Sequence, residues 1–270
     1  MKEKKLLYED RIVVFIDILG FKKIIESTID SSGNEILEKT HHVLHLLGLP
    51  ETIFGEDPEM KSSKIVTQFS DSVVVSFNYT EESQVFYTLI DILHFQLEMV
   101  SLGEIARGAV CFGKICHTRD KVFGPGMIKA YEFETQSAIF PRIVIDEEVL
   151  KVGEKYAING HTPEIEREHL RDLAVKDFDG HYYVDYFSAA HGELNDPDLQ
   201  WPDYLMKLRE IIVNGLKSKN AGVRNKYMWM AEKYNVLIKG YKDPRFIKSI
   251  GEELGTYFSN FYEELEEIGY

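Results

Sequence analysis

The stretch RIVVFIDILGFKK, Arg11 to Lys23, decides how the chain folds. Its run of Val, Ile and Phe reads as a buried β-strand over Arg11 to Leu19, yet Asp17 stands within it. Side chains alternate along a strand. Val13, Phe15 and Asp17 therefore share one face, and Ile12, Val14, Ile16 and Ile18 share the other, which is expected to meet helices. Burying an unpaired carboxylate is costly, so Asp17 must emerge near the strand's C-terminal end, on the face away from the helical layer. The segment KIVTQFSDSVVVSF, Lys64 to Phe77, repeats the puzzle. It reads as a hairpin closed by Ser-Asp-Ser, with Thr67, Phe69 and Asp71 in matching parity. With the hairpin beside the first strand, Asp17 and Asp71 converge, and two adjacent carboxylates need a cation or a shared proton between them. Hard oxygen ligands suit Mg²⁺ or Mn²⁺, which also bind substrate phosphates. Gly20 and Phe21, opening the next helix, offer backbone N–H groups suited to phosphate. The plainer readings are Asp17 as a helix cap and Asp71 as a turn former.

Working outward, GFKKIIESTI and NEILEKTHHVLHLLGL read as helices, the second stopped by Gly48, and PETIFGEDPEMKSS reads as a loop. An amphipathic helix ends at Gly103. A long strand, a turn and a return strand follow over EIARGAVCFGKICHTRDKVFG, then the helix GMIKAYEFETQSA and a strand after Pro141. LAVKDFDGHYYVDYF is a hairpin turning at Asp179-Gly180. The order β-α-α-β-β-α-β-β-α-β plus a hairpin gives an α+β fold, a ferredoxin-like split motif with helices on one face. We place this domain at residues 1–192. Residues 193–270 carry three amphipathic helices, a helical extension packed on the core or on a partner subunit. The first bears the stripe Trp201, Leu205, Leu208, Ile212 and Leu216.

The formal charge of −14 disfavours a nucleic acid polymer as partner, while leaving room for a local basic pocket. No long apolar run predicts a membrane span, and the basic start lacks an apolar signal core; both point to the cytoplasm. Cys111 and Cys116, five positions apart on one strand, face opposite sides, so neither a disulfide nor a Cys-based zinc site is expected. His41 and His45 stand four apart without the Glu of a zinc helix and read as a packed or solvated face. His117 lies near the second strand turn, close to the expected pocket.

The motifs FIDILGF, FSDSVVVSF, RGAVCFGKI and FGPGMIKAYEFE, in this order across Arg11 to Ile145, resemble the catalytic domain of class III nucleotidyl cyclases. The resemblance implies that Asp17 and Asp71, with the backbone carbonyl of Ile18, hold two Mg²⁺ or Mn²⁺ ions, and that Ser70 replaces the family's usual glycine. It departs where the family has an Asn and an Arg that steady the transition state: Ile128 and Glu132 stand there. The base-selecting positions fall at Thr67 and Lys121, where adenylate cyclases carry Lys and Asp. FGP…AYEFE…PRI, DGHYYVDYF and KYMWMAEKYN are similar to the pyrimidine cyclases of the Pycsar antiphage defence system.

That resemblance implies cyclisation of UTP or CTP to a 3′,5′-cyclic monophosphate and pyrophosphate, with Gly20 and Phe21 amides on the β- and γ-phosphates. Arg142, Arg119 and Lys129 are nominated to replace the missing arginine, whereas Arg107 reads as structural. It further implies a head-to-tail homodimer with shared active sites, the second copy covering the apolar face of Val13 and Phe15, and a separate effector that binds the cyclic product. The alternatives are a catalytically inactive nucleotide-binding domain, a purine nucleotide cyclase, and a scaffold acting through the C-terminal helices. No Gly-Gly-Asp/Glu-Glu-Phe run exists to suggest a cyclic-dinucleotide synthase.

Overall fold

The computed structural model describes residues 7–55, 62–158 and 160–270. The chain divides into two compact units, Met1–Asp185 and Tyr186–Tyr270, with the division at Tyr186 where the sequence suggested Glu193.

In the first unit, β1 (Glu9–Ile18) lies between β3 (Ser72–Asn78) and β4 (Ala106–Thr118), antiparallel to both. β2 (Ile65–Phe69) pairs with β3. The order β2-β3-β1-β4, all antiparallel, is the ferredoxin-like arrangement expected from the element order. β5 (Lys121–Phe123) folds back on β4, and β6 (Ile143–Ile145) joins β4 in parallel. β7 (Ala174–Lys176) and β8 (Tyr182–Val184) extend that edge as the hairpin read from sequence.

Both faces of β1 are buried. Ile12, Val14 and Ile16 are sealed on one side, where Phe112 and Tyr156 flank Tyr79. The helices α2 (Leu37–Phe54) and α3 (Gln84–Ser101), both expected, pack there with α5 (Glu147–Lys155) and α6 (Pro163–Leu173). α4 (Pro125–Ser137) departs from the one-sided layer. Its Ala130 and Met127 pack on Val13, Phe15, Val74 and Cys111, and Tyr131 meets Phe15 edge-on at 5.9 Å. The face expected to await a second subunit is therefore covered by the chain itself. Apolar burial of this kind is worth roughly 25 cal/mol per Å².

Local breakers yield to packing in α2. It begins at Leu37, runs through Gly48 and Pro50, and ends at Phe54, because Leu49, Pro50 and Phe54 continue the buried stripe and Phe54 meets Phe95 at 5.7 Å. The first part of the expected loop is thus helix; residues 56–61 lie outside the described residues. α1 is short, Phe21–Glu26. α5 and α6 occupy a span the sequence reading left unassigned. Asp146 and Thr162 cap them by accepting hydrogen bonds from Glu148 N and Ile165 N.

The second unit holds α7 (Pro197–Leu216), α8 (Ala221–Tyr241), α9 (Pro244–Glu253) and α10 (Thr256–Glu264). Trp201, Leu205, Leu208 and Ile212 are fully buried and Leu216 half-buried. The third expected helix is two, broken at Leu254 and Gly255, whose φ of +97° suits glycine. Among the described residues no helix is long and apolar enough to cross a membrane.

Candidate active site

Asp17 stands one residue before the end of β1, opposite Ser72 on one side and Arg107 on the other. Its parity places it on the Phe15 face, the face of α4. Asp71 sits in the tight connection between β2 and β3. Ser70 beside it has φ +55°, a left-handed backbone that costs a non-glycine residue about 1–2 kcal/mol. The connection is therefore held in a shape that glycine would adopt freely.

Asp17 pairs with Ser72 across the β1–β3 ladder, which sets the neighbouring Asp71 carboxyl close enough to act on it. Asp17 is 24% exposed, and its Oδ2 lies 3.6 Å from Arg107 Nη2. Arg107 Nε is 2.6 Å from Oε1 of Glu134, which is buried on α4. Asp17 is pushed up to about 6, first by burial, then by the Asp71 charge; Arg107 opposes the shift and Glu134 adds to it. Asp17 and Glu134 flank the Arg107 guanidinium, and Asp71 adds a further carboxylate beside Asp17, where a cation fits. The donor set, all oxygen and partly open to solvent, is that of a hard divalent cation. Ser72 Oγ approaches Asp17 Oδ1 at 3.5 Å.

Around this centre, Ile18 is buried at the end of β1, paired with Ala106. Gly20 stands at φ +82° before α1, with open space where a Cβ would project; Phe21 is buried. Thr67 lies on β2, but its Oγ1 is hydrogen bonded to His117 Nε2 at 2.9 Å. His117 Nδ1 is 2.8 Å from Ser76 Oγ, which accepts from Arg11 Nε. Burial, then the Arg11 charge, lower His117 to about 4. It is a neutral member of a buried polar chain and has no charge to offer a phosphate. Lys121 is exposed on β5, across from Thr118. The structure records no contact between it and Thr67.

The nominated cations fare differently. Arg142 is fully buried, ion-paired to Asp177 and Asp179, and stacked near Phe140 and Tyr183. It is a structural residue, shut away from any substrate. Lys129 reaches Asp146 Oδ2 at 2.7 Å and Glu148 Oε2 at 3.4 Å. Its charge is committed to the start of α5, and these carboxylates outweigh burial to raise its pKa. Arg119 is exposed at the β4–β5 turn and forms no ion pair among the described residues. Ile128 and Glu132 are both exposed on α4.

Sequence reasoning passed over Glu134 and set Arg107 aside as structural. Glu134 falls four residues after Ala130 on the buried side of α4, a charge in an apolar stripe just as Asp17 is in β1. Arg107 is recognisable only from register, which sets it opposite Asp17. The cleft of about 410 Å³ lined by Lys129, Glu132, Asp146, Glu147 and His181 includes neither aspartate. Its three acidic side chains to one lysine make it ill-suited to a triphosphate.

No family model matches the chain, and no curated protein matches it. Two solved structures of a bacterial light-regulated adenylyl cyclase are similar to it, each at 15% identity. One has a TM-score of 0.40 and aligns over 66% of this chain and 53% of its own. The other has a TM-score of 0.41 and aligns over 76% and 98%. This chain spans about half the length of the first.

Proposed function

We propose that the chain is a nucleotidyl cyclase that converts UTP or CTP to its 3′,5′-cyclic monophosphate and pyrophosphate. The observation that carries the proposal is the approach of Asp17 and Asp71, distant in sequence, at one end of the β1–β3 ladder. Motifs resembling class III cyclases surround both residues. Asp17 and Asp71, with the Ile18 carbonyl, would hold Mg²⁺ or Mn²⁺, two ions per site as the resemblance implies. Bound there, the metal would acidify the ribose 3′-hydroxyl and neutralise charge on the phosphates.

In the reaction the 3′-oxygen bonds to the α-phosphorus, the bond from that phosphorus to the β-phosphate bridging oxygen breaks to release pyrophosphate, and the 3′-hydroxyl proton passes to solvent water. Arg107 holds the Asp17 carboxylate and is itself held by Glu134. Gly20 and Phe21 amides would take β- and γ-phosphate oxygens. Arg119 and Lys121 are the nominated cations still exposed. Thr67 reads the base only by exchanging its bond to His117, so the choice between uracil and cytosine is left open. The large exposed side chains Phe69 (83%), Ile128 and Tyr131 beside the aspartates and on α4 support a second copy of the chain completing the site. A role in antiphage signalling through a separate cyclic-nucleotide-binding effector follows from the resemblance to pyrimidine cyclases, as does a cytoplasmic location.

A second reading has its own support. Arg142 and Lys129 are spent in structural pairs, which favours a nucleotide-binding domain without turnover; a purine cyclase is the third. One experiment separates all three: mass spectrometry of products from an equal mixture of four NTPs with Mn²⁺. The proposal expects a cyclic pyrimidine monophosphate that disappears in Asp17→Asn and Asp71→Asn. A cyclic purine product would replace the substrate assignment, and no pyrophosphate from any nucleotide would leave the domain without turnover.

A further inference from the structure

α6 carries Glu166 and His169 three residues apart, on one side of the helix. His161 precedes its cap residue, Thr162. The ligating atoms of His161, Glu166 and His169 all lie within 4.8 Å of one another. His161 Nδ1 is already 3.2 Å from Glu166 Oε2. The two imidazole rings are 5.3 Å apart, and Phe86 of α3 flanks His169 at 5.8 Å.

Two features separate this cluster from an ordinary surface ion pair. Glu166 is 1% exposed, and its Oε1 has no hydrogen-bond partner among the described residues. Leaving a buried carboxylate oxygen unsatisfied costs several kcal/mol, and a single His–Glu pair leaves that cost standing. Second, His161 N donates to Ile158 O at 3.0 Å, and Thr162 Oγ1 accepts from Ile165 N.

We propose that His161, Glu166 and His169 form a binding site for a transition-metal ion of the Zn²⁺ class. Two imidazole nitrogens and one carboxylate are the ligands such an ion prefers, with water as the fourth. Ligand atoms around tetrahedral zinc sit about 3.4 Å apart, a spacing the His161–Glu166 pair already has. The site is distinct in kind from the all-oxygen centre at Asp17 and Asp71, and it does not depend on the proposed activity. Its effect is structural: the ion ties the segment before α6 to the helix itself.

The test uses the full chain, stripped with a chelator and held in saturating Mg²⁺. Co²⁺ is titrated by visible absorption and Zn²⁺ by calorimetry. One equivalent of Zn²⁺ is expected, displacing a tetrahedral Co²⁺ spectrum and raising the thermal midpoint. His169→Ala, and separately the exposed His161→Ala, should weaken Zn²⁺ binding at least tenfold and remove the thermal shift, while Asp17→Asn leaves both unchanged. Circular dichroism shows whether each variant is folded. Zn²⁺ bound equally by wild type and both histidine variants, or not bound at all, overturns the proposal.

Discussion

The chain holds two arrangements of arginine with carboxylates, and they differ in one respect that separates structure from chemistry. At Arg142 the guanidinium is fully buried and two aspartates, Asp177 and Asp179, accept from it. Phe140 and Tyr183 close the surroundings. At Arg107 one partly exposed guanidinium stands between Asp17 and Glu134, and Asp71 adds its charge to Asp17. In the first cluster the guanidinium and Asp177 are wholly buried, and Asp179 closes it from an exposed turn. The second stands at a partly open edge, with Arg107 25% and Asp17 24% exposed and a second aspartate acting on Asp17. An arginine beside acids is therefore uninformative alone; how far the guanidinium is shut away from solvent decides its meaning.

Breaking the sealed cluster should have the largest effect. Arg142→Met leaves two carboxylates without their cation, Asp177 among them in the interior, and should cost about 3–5 kcal/mol, read as a lower midpoint in urea. A loss under 1 kcal/mol would mean the pair is not what holds the β6–β8 edge. Asp17→Asn should act in the opposite sense. Turnover should fall about a hundredfold or more, near 2.7 kcal/mol, measured by pyrophosphate release, with the fold intact.

The comparison sharpens with pH. In chelated protein Asp17 holds its proton to about 6, against 3.8 as the ordinary value. Between those values the folded state binds more protons than the unfolded, so stability falls as pH rises through that window and levels off above it. The fall should be about 1–2 kcal/mol after allowance for partial solvation, and Asp17→Asn should abolish it. Urea midpoints from pH 4 to 7 give the answer; a wild-type profile identical to the variant's would contradict the raised acidity. The smallest effect belongs to the exposed Lys121. Its replacement by Ala should leave stability within about 0.5 kcal/mol, so a change in the UTP-to-CTP product ratio would report base contact alone.

Sequence made the centre of the sheet legible because one physical rule governs it. Continuous apolar runs fix β1 and β3, and a carboxylate standing in or beside such a run marks Asp17 and, in the hairpin, Asp71. Features set by register or distant pairing were not visible. Arg107 gains its role from lying across from Asp17, and Arg142 loses its nominated one to acids in a turn some distance along the chain. α5 and α6 are short and heavily charged, so their apolar faces are narrow, though their Asp146 and Thr162 caps were readable signals. The intramolecular cover supplied by α4 was missed because Ala130 and Met127 are modest residues whose partner surface only the fold reveals.

The claim that Asp17 and Asp71 form one divalent-cation site is tested most directly by Mn²⁺ titration of Mg²⁺-free protein, followed by electron paramagnetic resonance. Wild-type protein should bind Mn²⁺ and release a proton near pH 6, with His161→Ala unchanged and Asp17→Asn/Asp71→Asn losing both signals. Equal Mn²⁺ binding in the wild type and the double aspartate variant would contradict it.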